Sequence, residues 1–180
     1  MKGKLPTSLC VLIAAVLVVF GVVYGTWSGF RADRAQVDEL LTMENGLMDV
    51  LSYRAADGIN LSVVAKRHLP AQDEELVMLE KRARELQQAA QVRASYTLDA
   101  AMAEAFDAVS AKLKATASFQ QSQRDQRYLD MLTADLNSLR ASEIVTTYNQ
   151  AAAELNRELS KPIFGTLAVM LGIETCPLYE

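Results

Sequence analysis

The hydrophobic pattern of the chain changes character near residue 30. From Leu9 to Tyr24 it is apolar without a single charge, and extension to Leu5 and Phe30 gives 26 uncharged residues. At 1.5 Å per residue a helix of that length crosses the roughly 30 Å hydrocarbon layer of a bilayer. Inside hydrocarbon every backbone group must be satisfied locally, so a single span has to be a helix. Beyond Arg31 the apolar residues become periodic. Val37, Leu40, Leu41, Leu47, Val50, Leu51, Ile59, Leu61, Val63 and Val64 fall mostly three or four apart, the mark of one buried helical face. Gly46 and Gly58 are expected to weaken this helix without ending it, and Pro70 stops it.

The stripe resumes after Asp73, the expected N-cap, with Leu76, Leu79, Ala83, Leu86 and Ala90. A soft break is expected near Ser95-Tyr96-Thr97, with Thr97 capping a renewed stripe of Ala101, Met102, Ala105, Phe106, Val109 and Leu113. Ser118 with Gln121 resembles a capping box. After it come Leu129, Leu132, Leu136, Leu139 and Ile144, then Leu155, Leu159 and Pro162. Residues 31–69, 73–115 and 118–161 hold 39, 43 and 44 residues, so each makes a rod of about 60 Å. Equal rods joined by short turns predict an all-α chain: an N-terminal transmembrane helix, then an elongated antiparallel bundle of three long helices. The expected organisation is an anchor over 1–30, a bundle over 31–161, and an apolar C-terminal segment over 162–180. Between Ile163 and Ile173 the only residues that are not plainly apolar are Gly165, Thr166 and Gly172, and 11 residues are too few to cross a bilayer. Packing on the bundle, lying on lipid and docking a partner all stay open for it.

Composition agrees with long helices, since only 8 Gly and 4 Pro interrupt 180 residues. Charge is more informative. Lys2 and Lys4 are the only charges in the first thirty residues, which leaves 16 basic against 22 acidic side chains in the remainder. A net-acidic body lacks the footprint that binding to a phosphate backbone needs, so no nucleic-acid partner is expected. Lys2 and Lys4 flank one end of the apolar run, and Tyr24, Trp27 and Phe30 form an aromatic cluster at the other. The rival to a retained anchor is a cleaved signal, for which Val23-Tyr24-Gly25 is a poor site. Three positive charges before the span, the α-amino group included, against Arg31 and Arg34 after it favour an inside N-terminus by a narrow margin. The bundle would then be extracytoplasmic.

Candidate chemistry is sparse. With two cysteines, Cys10 and Cys176, and one histidine, His68, the chain cannot supply a four-ligand zinc site. A Cys176–His68 nucleophilic pair is formally available without local support, and His68 before Pro70 is expected to meet a helix C-terminus. Cys10 falls inside the apolar run, and the apolar stretch follows it instead of preceding it, the wrong order for lipidation. Asp73, Glu74 and Glu75 gather at a helix start, where unsatisfied amides favour carboxylates. Lys81, Arg82 and Arg84 lie between Glu80 and Glu85 and suit a solvated, ion-paired face. Asn60, Asn137, Asn149 and Asn156 stand out as candidate buried polar positions, because an asparagine inside a helix is intrinsically disfavoured. No phosphate-binding loop, nucleophile elbow or paired-histidine motif is present. No catalytic, cofactor-binding or metal-binding residue is therefore expected, and no cofactor.

The segment Tyr148-Asn149-Gln150-Ala151-Ala152-Ala153-Glu154-Leu155-Asn156 resembles the Tyr-Asn-x-Ala-Val-x-x-Tyr-Asn motif of the LemA family of bacterial membrane proteins. Leu159, Pro162, the apolar Gly-containing segment and the ending Pro177-Leu178-Tyr179-Glu180 follow in the family's order. Leu113-Lys114-Ala115-Thr116-Ala117-Ser118-Phe119 resembles its Leu-Lys-Ala-x-x-x-Phe, and Arg54-Ala55-Ala56-Asp57-Gly58-Ile59-Asn60-Leu61 its Arg-Arg-x-Asp-Leu-Ile-Pro-Asn-Leu. The chain departs from the pattern in lacking the proline of Ile-Pro-Asn-Leu and in placing Leu155 where a second tyrosine stands. The resemblance implies an antiparallel bundle on a single span, with no catalytic residue to carry over. It also implies a role as scaffold or adaptor for protein partners or membrane organisation. One branch of the family, the MamQ proteins, is implicated in forming the magnetosome membrane. The expected partners are lipid through residues 5–30 and proteins whose identity stays open, and a homo-oligomer stays open too. A sensory bundle that passes a helix shift into the membrane is the alternative.

Overall fold

A computed structural model of the chain describes residues 6–180. Lys2, Lys4 and Leu5, one flank of the expected span, lie outside the described residues. Every regular element among the described residues is helical: α1 (Thr7–Thr42), α2 (Leu47–Ala65), α3 (Glu74–Gln87), α4 (Val92–Ala115), α5 (Ala117–Gln120), α6 (Gln123–Arg140), α7 (Glu143–Leu159) and α8 (Phe164–Met170). The chain divides into two compact units. One comprises residues 1–38 and 151–176, the other residues 39–150 and 177–180.

The expected three long rods are shorter helices, and each break has a local cause. The rod expected over 31–69 is cut at residues 43–46, with Gly46 standing as the N-cap of α2. Asn45 adopts the left-handed conformation (φ 61°), which asparagine tolerates better than most residues. A Cβ on Gly46 would lie 2.8–3.0 Å from the carbonyl oxygens of Met43, Leu40 and Leu41, so only glycine fits there. The break expected at Tyr96 falls instead at residues 88–91, and Thr97 lies inside α4. Ser95 lies buried in the first turn of α4, its hydroxyl donating to the Gln91 carbonyl (2.9 Å) one turn back. Ser118 is not the expected cap. Ser122 caps α6, its Oγ accepting from the Asp125 amide at 3.3 Å. Asp73 does cap α3, accepting from the Leu76 amide at 3.3 Å.

In the unit of residues 39–150 and 177–180, α2 is the hub and packs on α3, α4 and α6, while α3 also packs on α4. Leu47, Leu51 and Leu61 of α2, Leu76 and Leu79 of α3, Met102, Phe106 and Leu113 of α4, and Leu129 and Leu136 of α6 are almost fully buried. These are positions the periodicity marks as core; Val63 and Ala90, which it also marks, are exposed. Gly58 lies inside α2 where the helices approach closely: a Cβ there would stand 3.0 Å from the Ala83 Cβ and 3.1 Å from the Met102 sulfur. In the other unit, one helix is long and apolar enough to cross a membrane, and none of its most apolar 18-residue window is buried. The helix does not stop at the end of this window but runs on to Thr42. Tyr24 packs against Trp27 (6.1 Å between rings), and the Arg31 guanidinium sits over Trp27 at 4.8 Å.

Candidate functional site

Two constellations bring polar side chains together in the unit of residues 39–150 and 177–180, and both start from residues that interrupt an apolar pattern. Arg54 stands on the core stripe of α2, between Leu51 and Gly58, and is 4 % exposed. Its Nη1 donates to Asp99 Oδ2 at 2.5 Å and its Nη2 to the Leu139 carbonyl at 2.8 Å. Asp99 also accepts from the Tyr179 hydroxyl at 2.8 Å, and Tyr96 meets the Tyr179 ring edge-on at 5.3 Å. Burial and the neighbouring Asp99 carboxylate push the Tyr179 hydroxyl well above its ordinary range, so it stays a donor. A buried guanidinium is tolerable because a carboxylate and a carbonyl meet it, and the second acceptor valence of Asp99 is spent on the chain's penultimate residue.

The last residues are also held through their main chain. Buried Tyr148 donates its hydroxyl to the Pro177 carbonyl (2.8 Å). The Asn149 carboxamide donates to the Tyr179 carbonyl (3.0 Å) and accepts from the Tyr179 amide (2.8 Å). In the unit of residues 1–38 and 151–176, Asn156 repeats the device on Cys176, with both bonds at 2.8 Å. An asparagine side chain carries the donor and acceptor of a peptide group, so each carboxamide pairs with one residue's backbone as a neighbouring strand would. Asn149 and Asn156 are thus paired, partly buried positions, as their disfavoured place inside a helix suggests. Asn60 and Asn137 are exposed, which corrects the expectation of burial for them.

The second constellation surrounds His68, three residues past the end of α2. Its ring does not engage a helix C-terminus as expected. Nε2 lies 2.9 Å from Asp125 Oδ2, Nδ1 lies 3.0 Å from Ser118 Oγ, and Phe119 packs edge-on at 5.4 Å. Asp125, 5 % exposed, also accepts from Arg67 at 2.6 Å and from the Ser122 hydroxyl at 2.9 Å. The His68 hydrogen bond, with Ser122 and the Arg67 charge, holds this carboxylate below the usual range and therefore ionised. In outline this is a serine–imidazole–carboxylate relay. In detail the carboxylate is committed to three partners, and the arrangement ties the end of α2 to α5 and the start of α6.

The other polar groups fall where the sequence places them. Lys112 pairs with Asp73 (2.6 Å) and Glu75, which lowers the Asp73 carboxyl and raises the lysine. Glu80 pairs with Lys66 and Arg84, and Glu85 with Arg82 and Lys81, an ion-paired surface. Cys10 is exposed and Cys176 buried, and burial pushes the Cys176 thiol up, away from a nucleophile's range. No group of three His, Cys, Asp or Glu that would hold a metal ion occurs among the described residues.

Sequence reasoning missed Arg54, Asp57, Asp99 and Asp125. For Arg54 and Asp57 the signal was present, since charged residues stand on or beside an apolar stripe. For Asp125 it was Ser-x-x-Asp at a helix start. Comparisons with protein-family models, with curated proteins and with solved structures return no match to this chain.

Proposed function

We propose that this chain is a non-enzymatic, membrane-anchored protein of the LemA type, a single-span helical bundle that serves as scaffold or adaptor for protein partners or for organising membrane. The observation that carries the reading is the exposed, uncharged stretch of α1, which continues as one helix past Trp27 and Arg31 to Thr42. An exposed apolar rod of this length is unstable in water, and lipid is the solvent that matches it. An antiparallel bundle of the kind the family resemblance implies, with its rods broken into the shorter helices described above, is the arrangement we assign to the folded remainder. Support for a binding rather than a catalytic role comes from the polar constellations. Half-buried Asp99 and buried Asp125 each carry a cation and at least one further donor, as expected of joints between elements.

In intact membranes the full chain should resist extraction by alkaline carbonate, keep its N-terminal residues by intact mass, and cross-link to a defined set of proteins. Ser118→Ala should leave that set unchanged. Release by carbonate, loss of residues 1–25 from the mature chain, or Ser118-dependent hydrolysis of a generic ester probe would overturn the proposal.

A further inference from the structure

The helix α8 is built inside out for a water-soluble protein. Its inward positions are small: Gly165 and Ala168 are buried, and a Cβ on Gly165 would stand 2.3 Å from the Leu159 carbonyl oxygen. Its outward positions are large and apolar. Ile163, just before the helix, is 75 % exposed, and Phe164, Val169 and Met170 within it are 54 %, 52 % and 80 % exposed, with Leu167 half-buried beside them. A helix facing water carries its polar residues outward, yet residues 162–173 contain no charge and only Thr166 as a polar side chain. Ile163 holds this position at a local cost. It is β-branched and sits at φ 73°, a conformation that such residues rarely adopt.

What covers this face is indicated by where the segment is tied. The Arg34 Nη1 donates to the Glu174 carbonyl at 3.0 Å, one turn of chain beyond α8. On α1, Arg34 lies seven residues past Trp27, about 10 Å along the axis, and the Tyr24–Trp27–Arg31 group is the aromatic and cationic belt expected at a membrane surface. The tie therefore sets the apolar segment at the level where the apolar span gives way to charge. An interfacial helix buries its apolar face about 5–10 Å into the headgroup boundary and keeps its backbone near that level.

We propose that the exposed apolar side chains of Ile163 and of α8 (Phe164, Val169 and Met170) lie in the interfacial layer of the same bilayer that α1 crosses, so that the protein grips one membrane surface at two points. The proposal rests on the membrane-anchored reading above. Its test is the full chain with Cys10→Ala and Cys176→Ala, reconstituted in phosphatidylcholine–phosphatidylglycerol vesicles. Nitroxide labels are placed one at a time at Leu17→Cys, Phe164→Cys and Met170→Cys, with circular dichroism confirming unchanged helicity. Collision with oxygen, which partitions into lipid, is compared with collision with a water-soluble nickel chelate.

The expected result is a label at 17 that meets oxygen and not the chelate, and labels at 164 and 170 with oxygen favoured several-fold over the ratio for free label in buffer. If 17 is in lipid while 164 and 170 behave as in water, the span stands and the proposal is overturned. If 164 and 170 are shielded from both reagents, a protein surface, whether a second copy or another chain, covers α8, and the proposal is equally overturned. If the chelate reaches 17 freely, the span reading fails and takes the proposal with it.

Discussion

Asp57 gives the sharpest test of the packing described for α2. Its side chain is 5 % exposed, its Oδ2 has no hydrogen-bond partner, and burial followed by the nearby Asp135 charge raises its carboxyl from 3.8 to about 6. In the unfolded chain the group returns to the ordinary value, so between pH 3.8 and about 6 the folded protein holds a proton that the unfolded chain has lost. Stability from this group is thus fully present below the unfolded value and is lost as pH rises through about 6. A shift of this size corresponds to up to about 3 kcal/mol at 1.36 kcal/mol per unit, and solvent screening brings the expected figure to about 1–3 kcal/mol. The perturbation is Asp57→Asn, which keeps the shape and removes the titration. The assay is urea unfolding of the detergent-solubilised full chain, followed by far-ultraviolet circular dichroism at about pH 4.5 and about pH 7.5. Carboxylates held low by partners, such as Asp125 and Asp73, lose stability in acid in both proteins and cancel in the difference. Asp57→Asn should gain on the parent by about 1–2 kcal/mol more at the higher pH than at the lower. A difference between the two proteins that stays constant across pH would refute both the burial and the Asp135 proximity.

Two further outcomes follow from the polar constellations. Arg54→Ala leaves half-buried Asp99 with the Tyr179 hydroxyl as its remaining partner and should destabilise the fold by about 1–3 kcal/mol, read as a lower urea midpoint; an unchanged midpoint would mean that the Arg54–Asp99 pair contributes nothing to folding. Asn149→Ala removes two main-chain bonds, worth about 1–3 kcal/mol together. It should speed carboxypeptidase release of the last residues, whereas Asn137→Ala, at an exposed position, should not.

Helical content and most of the core were legible in the sequence because burial imposes a period on the residues themselves. Leu76, Leu79, Ala83 and Leu86 fall on one stripe and are buried together. Breaks between helices were less legible. The cut at 43–46 depends on Asn45 entering a left-handed conformation and on carbonyls closing over Gly46, and neither changes the hydrophobic pattern. Ser118 and Ser122 show the same limit: both precede a plausible first turn, and only the position of His68 decides which hydroxyl serves the cap and which the imidazole. Tyr148, Asn149 and Asn156 were visible as a motif, but their task was not, because their partners are backbone atoms about 20–30 residues away with no side-chain signature.

That choice of partner has a consequence for how the end of the chain can vary over generations. Asn149 and Asn156 read amide and carbonyl groups that every residue except proline offers, while Glu174, Thr175, Pro177 and Glu180 keep their side chains outside. Spelling at those four places is free to wander while the attachment persists. The buried side chains at 173, 176 and 179, the last of which must reach Asp99, are written in fixed letters.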